Sequence, residues 1–150
     1  PEAVVRLTAD CPLHHYAVVE TVVQAFWDGG ADYATNSFPP MYEDGFDTEV
    51  IRFAALEWAW RTASQPHDRE HVTPAIRSSG TFQRLFQKVN PLYDYKLSVD
   101  TPTDFMIAAR IIEALTPGNP FFTMEDVVAL IRRHPEWDVV RQGSRVVTER

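Results

Sequence analysis

Two aspartates stand where metal-assisted chemistry could be done. Asp10 and Asp100 each follow an apolar run and each lie just ahead of a proline, in Thr8-Ala9-Asp10-Cys11-Pro12 and Val99-Asp100-Thr101-Pro102. If both runs are strands of one parallel sheet, their carboxyl ends carry two carboxylates to a single rim, where open α/β sheets gather their ligands. Two protein oxygens completed by substrate phosphates suit Mg²⁺, which demands octahedral geometry and seldom uses an all-protein cage. The same residues also suit plainer work. Asp10 can close a turn and Asp100 can cap a helix, and spacing alone leaves both readings open.

Asn36, at the end of the next strand-like run, belongs near the same rim. Tyr42, Asp44, Asp47 and Glu49 make an acidic loop able to hydrogen-bond sugar hydroxyls, although charged loops are more often simply exposed. His71, in Glu70-His71-Val72-Thr73, either faces a sugar or serves as a hydrogen-bonded structural histidine. His14 and His15 are adjacent, a spacing that rarely lets both ligate one ion, and a solvated loop is the expectation there. Trp58 and Trp60, two apart on one helix, face different directions and form no stacking platform.

The elements that would position these groups follow from periodicity. Val4 to Thr8 is a short buried-strand pattern stopped by Pro12. His14 to Asp28 has apolar residues at helical spacing and ends at Gly29-Gly30. Asp32 to Ser37 is the next strand, giving a strand, helix, strand unit of a parallel sheet. Phe38 to Arg52, with Pro39-Pro40, Asp44-Gly45 and a short strand Thr48 to Arg52, is expected as an excursion from that sheet. A helix over Ala54 to Ala63, a helix over Glu70 to Ser78 with Pro74 inside it, and strands Phe82 to Val89 and Tyr95 to Val99 follow. Thr101 or Asp100 caps a helix running to Leu115, and Thr123 with Asp126 caps Met124 to His134.

Composition narrows the classes. The 150 residues are 45% hydrophobic, enough for one sizeable core. A net charge of -7 argues against wide contact with nucleic acid, which needs a concentrated basic face. The single cysteine, Cys11, excludes an internal disulfide and a cysteine-based zinc cluster and suits a reducing compartment, so a cytoplasmic protein is expected. No apolar stretch approaches the roughly 20 residues of a membrane span.

Four ordered segments carry a resemblance. Val5-Arg6-Leu7-Thr8-Ala9-Asp10-Cys11-Pro12-Leu13, Tyr42-Glu43-Asp44-Gly45-Phe46-Asp47-Thr48-Glu49-Val50, Glu70-His71-Val72-Thr73-Pro74 and Lys96-Leu97-Ser98-Val99-Asp100-Thr101-Pro102-Thr103-Asp104-Phe105 stand in this order. Together they resemble the spore-coat polysaccharide cytidylyltransferase family, relatives of the CMP-sialic acid and CMP-Kdo synthetases. The likeness runs to about Asp138. Ala9 stands where that family has glycine, His14-His15-Tyr16 replaces its I-D-P, and Lys96 stands where arginine is common.

The resemblance implies an α/β protein, a three-layer α/β/α nucleotidyltransferase of GT-A-like fold with a mostly parallel sheet. Residues 1–150 would be the carboxyl-terminal portion of that domain, with 139–150 an irregular tail and the nucleotide-binding half upstream of Pro1. It further implies transfer of CMP from CTP to a sialic-acid-like or Kdo-like sugar acid, Mg²⁺ on Asp10 and Asp100, and Lys96 as a catalytic cation. Asn36, Tyr42, Asp47, Glu49 and His71 would contact substrate. A homodimer joined through the Phe38 to Arg52 excursion is the expected assembly, and the fragment alone is expected to be inactive. A GT-A glycosyltransferase would want two carboxylates in a D-x-D motif, and Ala9-Asp10-Cys11 has one. A non-catalytic interaction module is the remaining alternative.

Overall fold

The β-branched run in Ala3–Leu7 forms strand β1, and Pro12 ends any continuation of it. In a computed structural model, which describes residues 1–38, 43–86, 95–137 and 139, β1 leads to helix α1 (Tyr16–Asp28), whose Val18, Val22 and Phe26 recur on one buried face. Strands β2 (Tyr33–Thr35) and β3 (Thr48–Arg52) follow, then helices α2 (Phe53–Thr62), α3 (Pro66–His71) and α4 (Pro74–Ser78). Strand β4 (Arg84–Phe86), α5 (Pro102–Leu115) and α6 (Met124–Ile131) complete the order.

The sheet runs β1-β3-β2-β4. This corrects the expectation of a mostly parallel sheet. β1, β2 and β4 share a direction, but β3 lies antiparallel between β1 and β2, so the sheet is mixed. Nor is Thr48 to Arg52 part of an excursion. Its first four residues are buried at the centre of the sheet, so this part of the segment has no surface to offer a second subunit.

α1 covers one face of the sheet, packing Val22 and Phe26 on Ala34 and Val50. α2 and α4 cover the other, packing Ala55, Ala59 and Ile76 on Tyr33 and Ile51. A third cluster joins α5 and α6 to Leu13, Val18, Phe46 and Leu97. β1 pairs with β3 alone among the described strands, and Val5 and Leu7 are 44% and 46% exposed, so the run read as a buried strand is an edge. Among the described residues no helix is long and apolar enough to cross a membrane.

Two further elements differ from expectation. The single helix over Glu70 to Ser78 is two, broken at Val72, whose φ is 67°. Thr73 N–H reaches back to His71 C=O at 2.7 Å, closing a γ-turn of the strained, positive-φ kind. Val72→Gly is therefore expected to unfold at higher urea than Val72→Ala, by about 1 kcal/mol, reversing the usual order of these residues in helical surroundings. Tyr95 to Val99 is not a strand. Its main chain is held by single bonds, Leu97 N–H to Asp44 C=O at 2.8 Å and Val99 N–H to Asp10 C=O at 2.8 Å.

Candidate functional site

Side chains alternate along β1, which turns Arg6 toward one face of the sheet, and Thr8 and Asp10, from the chain that leaves the strand, line the same cavity. Across the sheet Arg6 stands opposite Glu49, and Glu49 stands opposite Thr35. This row meets the α3–α4 turn to form a cavity of about 300 Å³. Asp10, Asp47 and Glu49 enter it from the sheet side, and His67, His71 and Arg77 from the helices.

Glu49 is the hub of the cavity wall. Its carboxylate is nearly sealed from solvent and accepts from Tyr33 Oη at 2.5 Å, Thr73 Oγ1 at 2.7 Å and Arg6 Nη1, with Arg77 Nη1 at 3.7 Å. A buried carboxylate is tolerable only when it is paired and its lone pairs are filled, and here both conditions hold. Burial, then the adjacent Glu49 charge, push the Tyr33 hydroxyl pKa upward, so that group stays a donor. Arg77 is fixed from its other side by the Phe38 ring, with the guanidinium carbon 4.6 Å from the centroid.

The second group of charges lies at the segment that crosses Asp10. Lys96 Nζ contacts Asp100 at 2.8 Å and Asp104 at 2.9 Å, and donates to Ser98 C=O at 2.9 Å. Burial works against the ammonium, but the two carboxylates outweigh it and raise the Lys96 pKa, so this group clamps rather than acts as a base. Asp104 closes a capping box with Thr101 at the start of α5. Burial opposes its charge, yet Lys96 and the backbone N–H groups of Asp100 and Thr101 hold its pKa down at about 2.

That depression has a pH consequence. A carboxyl whose folded pKa lies below its unfolded value of 3.8 stabilises the fold fully above that pH and loses the contribution as pH falls toward about 2. Urea midpoints are expected to drop between pH 4 and about pH 2 more steeply in the native chain than in Asp104→Asn.

Asp10 and Asp100 are both exposed, and the Val99 to Asp10 hydrogen bond ties their segments together. Among the described residues no group of three or more His, Cys, Asp or Glu is arranged to hold a metal. Two accessible carboxylates without a protein cage fit Mg²⁺, which retains waters and takes phosphate oxygens.

No family model matches the chain. An uncharacterized protein of Methanocaldococcus jannaschii is 31% identical over 110 residues, 71% of this chain and 44% of that protein. The spore coat polysaccharide biosynthesis protein SpsF of Bacillus subtilis is 26% identical over 149 residues, 96% of this chain and 60% of SpsF. The chain thus spans about half the length of the curated relatives it matches. A cytidylyltransferase from Leptospira borgpetersenii superimposes with a TM-score of 0.82 at 24% identity, covering 94% of this chain and 60% of that one. The chain shares the fold of that cytidylyltransferase.

Within that cytidylyltransferase fold, the residues singled out from sequence divide into three sets. Asp10, Asp47, Glu49 and His71 converge on the cavity. Lys96 and Asp100 stand together outside its lining, joined to it through Asp10. Asn36 does not reach it. That side chain is buried, donating to Phe46 C=O at 3.0 Å and accepting from Thr48 N–H at 2.8 Å, so it braces β2 against the turn before β3. Tyr42 lies outside the described residues. His14 is not solvated as expected: both its ring nitrogens are shielded without a partner, and burial, opposed by Asp10, lowers its pKa.

The reading from sequence missed Arg6, Thr8, Ser37, His67, Thr73 and Arg77 as lining residues. Alternation along the expected strand Val4 to Thr8 puts the first two on one face and so carried a usable signal for them. No local pattern marks Arg77, which depends on the γ-turn at Val72.

Proposed function

We propose that the polypeptide carrying these residues transfers CMP from CTP to a hydroxyl of a sugar acid and releases pyrophosphate. The observation that carries the reading is the Val99 N–H to Asp10 C=O hydrogen bond, which joins two exposed aspartates from distant parts of the chain beside a polar cavity. Similarity to SpsF, a spore coat polysaccharide biosynthesis protein, and the cytidylyltransferase fold support the class.

In this reaction the acceptor oxygen attacks the α-phosphorus in line. An oxygen–phosphorus bond forms, the bond from the α-phosphorus to the bridging oxygen breaks, pyrophosphate leaves with that electron pair, and the hydroxyl proton passes to solvent. Asp10 and Asp100 are the residues that would hold the Mg²⁺. Bound there, the ion supplies charge neutralisation on the phosphoryl oxygens and fixed geometry, the main requirements of phosphoryl-type transfer. Lys96 steadies Asp100 through its paired contacts with Asp100 and Asp104. The cavity wall orients the acceptor, through hydroxyls of Thr8 and Ser37 and the imidazoles of His67 and His71.

The test is pyrophosphate release by the natural polypeptide with Mg²⁺, each of the four nucleoside triphosphates, and sialic-acid-like and Kdo-like acceptors. CTP-selective release dependent on the acceptor supports the reading. A folded protein that releases nothing with any pair overturns it.

A further inference from the structure

Glu49 was expected to touch substrate, but its carboxylate is taken up by Arg6, Tyr33, Thr73 and Arg77. Those contacts use one terminal nitrogen, Nη1, of each arginine. A guanidinium has five N–H donors in a planar fork, so each arginine keeps donors for the cavity that both of them line. Both are also immobilised. Arg6 is paired across the sheet with Glu49, and Arg77 lies between Phe38 and the Glu49 group. A fork fixed beforehand loses little entropy on binding, and its geometry matches a carboxylate bidentately.

We propose that Arg6 and Arg77, held in place by Glu49, are the residues that read the carboxylate of the acceptor. Glu49 is then a positioning residue. The cavity is divided by charge. Two arginines against the one buried Glu49 leave this wall with a net positive charge, while Asp10 and Asp47 make the opposite, sheet-end side acidic. An anionic group is drawn to the arginine wall, and the acidic end is left to the Mg²⁺ that Asp10 would hold, so a sugar acid is oriented as well as bound. The same donors would also suit a phosphate of the nucleotide. The acceptor is favoured because the proposed reaction gathers the nucleotide's phosphates at Asp10 and Asp100, beyond the strand end, whereas Arg6 is paired with Glu49 within the sheet.

The inference rests on the cytidylyl-transfer reading, and the test keeps the two apart. Steady-state kinetics with CTP are compared for acid acceptors and for their neutral counterparts, in which the carboxylate is reduced to an alcohol. Arg77→Met is the main variant because Arg77 is the more distant partner of Glu49, and Arg77→Lys retains charge without the fork. The expected result is a KM for the acid acceptor raised at least 10-fold in Arg77→Met and less in Arg77→Lys, with the KM for CTP unchanged. Loss of the wild-type preference for acids over alcohols accompanies it.

A KM for CTP that rises in step with that for the acceptor assigns the arginines to phosphate and overturns the proposal. Equal use of acid and alcohol by the wild type overturns it while leaving cytidylyl transfer standing. If no transfer occurs with any acceptor, calorimetric titration with the acid sugar alone decides. Binding that is weakened at least 10-fold in Arg77→Met supports the arginine site without the transfer reaction, and absence of binding to the wild type overturns the proposal.

Discussion

Asp10→Asn and Asp100→Asn are each expected to lower kcat for pyrophosphate release by on the order of 10²–10³-fold, with little change in thermal stability. Asparagine keeps the size and one oxygen of the side chain but removes the charge that holds a divalent cation. Both carboxylates are exposed, so the fold itself should change by no more than about 0.5 kcal/mol. If the two aspartates act on one ion, the double variant falls little further than either single one, because groups that act as a unit are not additive. Independent, multiplying losses would separate the two residues and remove the metal site from the mechanism. Raised Mg²⁺ should recover part of the rate in each single variant and none in the double. Kinetics at several Mg²⁺ concentrations, alongside melting curves, read all of these outcomes.

The elements that were legible from sequence are those whose signals are local. Thr48–Arg52 was read to the residue, and α5 and α6 begin where their capping threonines stand. What failed depends on partners distant in the chain. Strand order cannot be read from a strand's own residues, and β3 enters between β1 and β2 only because both its faces find a core, Val50 against α1 and Ile51 against α2. The break in Glu70 to Ser78 arises from a γ-turn that valine's own preferences oppose.

The site shows the same division. Asp10 and Asp47 could be located from strand-end and loop chemistry, and both line the cavity. Asn36 stands outside the cavity lining, because a polar residue after a strand satisfies the main chain as readily as it reaches a ligand. Glu49 also lines the cavity, with its carboxylate engaged by Tyr33, Thr73 and the two arginines, partners that come from four different elements or turns and that no local pattern announces.

The largest loss of stability is expected from a residue with no side chain. Gly45 has φ 111°, a conformation that costs any other residue of order 1–3 kcal/mol. A methyl group there would also lie 2.6 Å from the carbonyl carbon of Leu97 and 2.8 Å from the backbone nitrogen of Ser98. These are main-chain atoms and cannot swing aside as a flexible side chain can. Gly45→Ala should therefore cost roughly 3–5 kcal/mol and lower Tm by about 10 °C, read by calorimetry. Gly30 supplies the control. Its φ is also positive, at 59°, but nothing lies within 4 Å of an added Cβ, so Gly30→Ala should cost only about 1 kcal/mol. The difference between the two measures the close approach apart from the backbone conformation. Activity adds a further distinction. The Asp44-Gly45 turn receives Leu97 N–H, and the following Val99 N–H reaches Asp10, so displacing Leu97 and Ser98 moves Asp100 relative to Asp10. At a temperature where Gly45→Ala is still folded, its kcat should already be reduced and its Mg²⁺ requirement raised, whereas Gly30→Ala keeps both. Equal melting temperatures for the two variants would mean that the turn yields to the methyl group and does not set the spacing of the aspartates.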